Sequence, residues 1–172
     1  MKKLILCAAI AAFGLSNVNA QDSDKGGNAL SEGSWVIEAN TGSWAVGNTA
    51  FSLTSVDGFT AYSVGAEAGY FVMDNLAIKA GLGYNGADDI DGSFVYKVGA
   101  KYYIAGEFPV GVDFTGASVS GENANWVGLQ GGYAWFVADN ISIEPTLRYN
   151  MTLDDMKAES AFQGLIGFAL HF

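Results

Sequence analysis

Apolar and polar residues alternate strictly along the end of the chain, from Phe162 to Phe172. Phe162, Ile166, Phe168, Leu170 and Phe172 share one face, and Gln163, Gly167, Ala169 and His171 the other. This is the period of a β-strand lying between two different environments. The same alternation recurs upstream. From 141, Ile141, Ile143, Pro145, Leu147, Tyr149 and Met151 oppose Ser142, Glu144, Thr146, Arg148 and Asn150. From 93, Phe94, Tyr96, Val98, Ala100, Tyr102 and Ile104 oppose Lys97, Gly99, Lys101 and Tyr103. From 59, Tyr62, Val64, Ala66, Ala68, Tyr70 and Val72 oppose Ser63, Gly65, Glu67, Gly69 and Phe71.

Taken along the whole chain, the pattern predicts eight strands, at roughly 34–44, 59–72, 76–85, 93–104, 108–116, 126–137, 141–151 and 160–172. Their connections are of two kinds. Met73-Asp74-Asn75, Ala105-Gly106-Glu107 and Ala138-Asp139-Asn140 read as tight turns, whereas 45–58, 86–92, 117–125 and 152–159 read as longer polar loops. One unit occurs twice, since Phe71 to Ile78 and Phe136 to Ile143 share the pattern Phe-Val-X-Asp-Asn before an apolar strand start. Strands of this length span a bilayer, and a spanning sheet must close on itself because lipid offers an open edge no hydrogen-bond partner. The expected fold is therefore all-β, an eight-stranded antiparallel up-and-down transmembrane barrel over 34–172. Pro145 is the position that resists, because it has no N–H for the ladder. A bulge or a water-satisfied carbonyl is expected there.

Parity places Glu38, Glu67, Asp113 and Glu144 inside together with Lys79, Lys97, Lys101 and Arg148. Four acids meet four bases, the balance that a narrow, packed lumen requires, since an unpaired charge in low dielectric is costly. Glycines such as Gly65, Gly81, Gly99 and Gly128 fall on the same parity and leave volume for these long side chains. Outward aromatics collect toward the two ends, with Tyr62, Tyr84, Phe94, Phe114, Tyr149 and Phe162 on the looped side. Trp35, Tyr70, Tyr102, Phe108, Trp135 and Phe172 lie on the turn side. Two girdles at headgroup level are implied.

The start of the chain adds a destination. Met1-Lys2-Lys3, the apolar run Leu4 to Leu15 and the small-residue site Val18-Asn19-Ala20 read as a signal peptide over 1–20. Cys7 lies inside it, so the mature chain has no cysteine and no disulfide. Residues 21–33 are polar and unpatterned and read as a flexible leader. The composition, with 23 Gly, 2 Pro and 13% aromatics, favours sheet. The net charge of −10 offers no basic stripe to nucleic acid.

On these residues the chain resembles the small outer-membrane β-barrel family, the OmpA-type transmembrane domain and the OmpX-like, porin-like proteins. The resemblance rests on the eight-strand pattern, the Asp-Asn turns and the ending Phe168-Ala169-Leu170-His171-Phe172. It implies a bacterial outer membrane location with both termini in the periplasm. It also implies an assembly signal at Ile166, Phe168, Leu170 and Phe172, read by the outer-membrane assembly machinery.

Function is less legible. His171, the single histidine, stands next to the C-terminus, on the rim opposite to that used by acyl-transferring barrels, so no enzyme, no catalytic residue, no cofactor and no metal centre are expected. Asp57, Asp88, Asp89, Asp91, Glu122, Asp154, Asp155 and Glu159 form an acidic looped rim. Such a rim can attract divalent cations bridging lipopolysaccharide, or a basic protein surface, or simply stay hydrated. The reading is a monomeric barrel embedded in outer-membrane lipid, with a structural or surface-interaction role in envelope integrity or adhesion. The alternative is a small porin-like channel for ions or small solutes that uses the charged lumen.

Overall fold

The computed structural model describes residues 29–42, 49–88, 90–119 and 122–172. The signal peptide and the leader up to residue 28 lie outside the described residues. The strands are β1 Trp35–Asn40, β2 Ser52–Val56, β3 Phe59–Met73, β4 Leu76–Ala87, β5 Ile90–Ile104, β6 Phe108–Val119, β7 Glu122–Gly132, β8 Trp135–Ala138, β9 Ile141–Thr152 and β10 Ala161–His171. These ten segments occupy eight places in a closed antiparallel barrel. β1 bonds both β10 and the turn-side half of β3, which closes the ring, and β2 bonds the other half of β3. β7 and β8 pair in succession with β9. Carrying the register across all eight contacts returns to β1 displaced by about ten residues, so the strands tilt by about 40°.

Pro145 divides one strand into β7 and β8. Tyr133 stands opposite it and donates its N–H to the Pro145 carbonyl at 3.1 Å. The return bond needs an N–H that proline lacks, so the ladder breaks between Gly132 and Trp135. The pairing on either side keeps one register, Gly132 with Thr146 and Trp135 with Ile143. Of the two expected alternatives the bulge does not occur; proline removes one ladder bond, the one to the Tyr133 carbonyl that the other alternative gives to water.

The other split has a different origin. Residues 43–48 lie outside the described residues; beyond them Thr49 and Ala50 lie inside the wall, fully buried. Phe51 then donates to the Asn40 carbonyl at 2.8 Å before β2 takes up the pairing with β3. A Cβ on Gly65 would lie 2.8 Å from the Thr49 carbonyl carbon, so glycine is what lets this inner segment lie against β3. Among the described residues the expected first strand at 34–44 is thus corrected to one that ends at Asn40, and the described part of the expected loop at 45–58 holds the inward-lying Thr49–Ala50, β2 and a hairpin turning at Asp57-Gly58.

Two more expected loops prove to be extended hairpins. β4 and β5 run to Ala87 and from Ile90, and β6 and β7 run to Val119 and from Glu122. Beyond the bilayer both faces of a hairpin are hydrated, so alternation fades while the backbone ladder persists. The connection after β9 is irregular, as expected. At the opposite end the three tight turns hold, with Asn75, Ala105 and Gly106 in the left-handed region at φ 66°, 53° and 75°.

The leader also needs correction at its end. Ala29 and Leu30 are buried in the turn-side mouth of the barrel, and Leu30 accepts the Asn75 N–H at 2.7 Å. A leucine that finds an apolar pocket outweighs the disorder suggested by its polar neighbours.

Candidate functional site

The inner face of β5 reads from hairpin end to turn end as Val95, Lys97, Gly99, Lys101, Tyr103, and this order divides the lumen into three layers. At the hairpin end Val95, Ala117 and Trp126 form an apolar cap, with the Trp126 indole donating to the Glu159 carbonyl at 3.1 Å. At the turn end Val36, Phe71, Tyr103, Phe136 and Ala169 pack with Ala29 and Leu30. Charges fill the middle.

All eight parity-assigned charges meet there. Glu38 pairs with Lys79 and, at 2.9 Å, with Lys101. Glu67 pairs with Lys79 and Lys97, each at 2.8 Å. Lys101 also pairs with Glu144 and stands 4.9 Å from the Tyr103 ring centre. Asp113 takes both ends of the Arg148 guanidinium, at 2.5 and 2.6 Å, a bidentate geometry. Further donors complete the carboxylates: Thr49 to Glu67 at 2.6 Å, Tyr103 and Ser142 to Glu144 at 2.9 and 2.8 Å, and Thr115 to Asp113 at 2.9 Å. Glu144 and Arg148, inward on the same strand, do not pair with each other; each has a different partner.

Glycine provides the room. A Cβ on Gly128 would fall 2.0 Å from an Arg148 nitrogen, and one on Gly81 2.7 Å from Glu67 Cγ. What space remains among Glu67, Lys97, Lys101 and Asp113 is a cavity of about 10 Å³, close to the least that holds one water.

Outside, the surface is apolar. Val64, Leu82, Val98, Val112, Leu129 and Leu147 are each about half exposed or more, and all twelve expected girdle aromatics are exposed. Within the girdles Trp35 and Tyr70 lie 5.1 Å apart, and Phe108 and Tyr133 5.5 Å apart. Tyrosines lie over glycines of the neighbouring strand, as Tyr62 does over Gly86 and Tyr96 over Gly116, where a Cβ would meet the ring at 2.7 and 2.2 Å. Such an exterior is adapted to lipid.

The residues of the expected assembly signal lie on β10 and at the chain end, with Ile166, Phe168, Leu170 and Phe172 exposed on the outer face. Phe172 and Trp35 exchange backbone bonds at 2.7 and 2.9 Å, joining the last strand to the first.

One grouping escapes parity on single strands. Ser142 on β9 lies 3.3 Å from His171 Nε2 on β10 and hydrogen-bonds Glu144. Both residues were legible as inward, but only the β9–β10 register, which sets Ser142 beside Ala169, brings them together. Serine, imidazole and carboxylate are all buried under the apolar end cluster, and the serine proton goes to Glu144, so the trio lacks the open approach that acyl transfer needs. Among the described residues no group of acids, histidines or cysteines has metal-binding geometry. Asp89 and the Glu122 side chain, from the expected acidic rim, lie outside the described residues.

No protein-family model matches the sequence, and no curated protein matches it. Solved structures do. The N-terminal β-barrel domain of Pseudomonas aeruginosa OprF is similar over 82% of this chain and 98% of that domain, with a TM-score of 0.55 at 14% identity. The Yersinia pestis outer membrane protein Ail aligns over 82% of this chain and 100% of its own, with a TM-score of 0.49 at 12% identity. The fold is shared with the OprF β-barrel domain.

Proposed function

We propose that the chain is an integral barrel of the bacterial outer membrane, with both termini in the periplasm, that serves envelope integrity or surface interaction through its hairpin end. The observation that carries this reading is the division of the molecule into an apolar exterior and a lumen filled by paired charges between two apolar layers. A filled lumen leaves the projecting hairpins and their acidic rim as the surface free to act. The described acids Asp57, Asp88, Asp91, Asp154, Asp155 and Glu159 are exposed and suit lipopolysaccharide-bridging cations or a basic protein partner. Ile166, Phe168, Leu170 and Phe172 serve delivery, by presenting alternate apolar side chains to the assembly machinery.

Planar-bilayer conductance of refolded protein tests the choice. The structural reading expects no steady current, whereas stable unitary steps would favour the small channel.

A further inference from the structure

We propose that Ala29–Leu30 is a detachable stopper, a peptide ligand tethered to the barrel and seated in an apolar pocket at its turn-side mouth. The inference is independent of whether the hairpin end binds a partner. Leu30 and Ala29 are 4% and 8% exposed, against Val36, Phe71, Tyr103 and Phe136 from four different strands. The backbone fits as well as the side chains: Leu30 accepts from Asn75 at 2.7 Å, and Glu32 donates to the Asp74 carboxylate at 2.9 Å. Gly33 donates to the Phe71 carbonyl, and Phe71 to that of Ser34, both at 2.9 Å. The lip of the pocket is Gly106, whose open Cβ position lies 3.9 Å from a Leu30 methyl.

Two features mark the segment as a ligand and not as a part of the wall. It belongs to no strand, so leaving the pocket breaks no ladder. It also joins β1 through the short link Ser31 to Ser34, and the residues that precede it, Gln21 to Asn28, are polar, include Gly26-Gly27 and carry no apolar period of their own. Behind it lies His171, fully buried among the Phe71, Tyr103 and Phe136 rings at 6.1, 6.2 and 5.4 Å, with the Ala29 backbone against the imidazole. The stopper therefore shields the way from the mouth to Ser142, Glu144 and the charge layer.

The chain's single histidine makes the test selective. Refolded mature protein, its Leu30→Asp variant and a form lacking residues 21–31 are treated with diethyl pyrocarbonate, and carbethoxylation of the C-terminal peptide is followed by mass spectrometry. Heat-modifiable migration on unboiled gels identifies folded barrel in each sample. The stopper predicts slow modification of His171 in the intact chain and a rise of about tenfold or more in the folded variants. A synthetic peptide with the sequence of residues 28–31, the part of the seated segment that the truncation removes, should restore protection to the truncated barrel when added in excess, and a scrambled peptide should not. Equal reactivity in folded intact and truncated protein, or no protection by the peptide, would overturn the proposal. If neither variant folds, Ala29–Leu30 belongs to the barrel core and is no detachable ligand.

Discussion

Arg148 concentrates the logic of the lumen in one side chain. It is almost fully buried, gripped by Asp113 on two nitrogens, steadied by Gln130 and Asn150 at 2.9 and 2.7 Å, and admitted by the missing side chain of Gly128. Replacing it with Met leaves Asp113 desolvated without its cation. The expected loss is about 3–5 kcal/mol in urea unfolding, less where water enters. Gly128→Ala should move the same way without removing any charge, because the new methyl expels the guanidinium. In double-mutant cycles Arg148 should couple to Asp113 and Lys101 to Glu144, whereas Glu144 and Arg148 should act nearly additively. That these eight charges turn inward was legible from parity alone. Their pairing was not, because it depends on the stagger between strands. Two residues four apart on one strand are separated by about 13 Å, which is why Glu144 and Arg148 face the same lumen without meeting.

At the scale of the element, β9 shows how much alternation decides. Leu147 faces outward at mid-strand and is 58% exposed, while its neighbour Arg148 is buried. Leu147→Arg should cost about 2–4 kcal/mol and deplete heat-modifiable folded protein. Leu153→Arg, beyond the end of the same strand, should be tolerated. Pro145→Val supplies the N–H missing opposite Tyr133, and slower amide exchange at position 145 than at strand ends, with a gain of about 0.5–1.5 kcal/mol, would confirm a one-bond defect. The extended hairpins beyond residues 86 and 117 escaped the sequence pattern because their two faces share one solvent. The inward return at Thr49 escaped it because burial inside a lumen rewards a threonine bonded to Glu67 as well as it rewards an apolar side chain.

For the whole molecule the decisive contact is the closure of β1 on β10, from Val36 beside His171 to Asn40 beside Gly167. Deleting Phe172 removes the backbone exchange with Trp35 and the last outward aromatic, so secretion should persist while assembly in cells slows; normal outer-membrane levels would count against it. The overall architecture was legible because a barrel imposes one rule, apolar outward and polar or small inward, on every strand at once. The layering of the lumen was partly legible, as Phe71 and Tyr103 were seen to turn inward. Its terminal plug was not, since one leucine in a polar leader carries no period.

The central claim is a two-faced wall, lipid on one side and a dry, filled lumen on the other. Because the only cysteine, Cys7, lies outside residues 34–172, single cysteines at successive positions from Ser142 to Met151, each spin-labelled in the refolded barrel in bilayers, probe it directly. The account predicts a period of two, with high oxygen accessibility at Ile143, Pro145, Leu147, Tyr149 and Met151 and low accessibility to both oxygen and a water-soluble nickel chelate at the alternate sites. Strong chelate accessibility at the inward positions, in variants that still migrate as folded barrels, would contradict it and reveal a water-filled lumen.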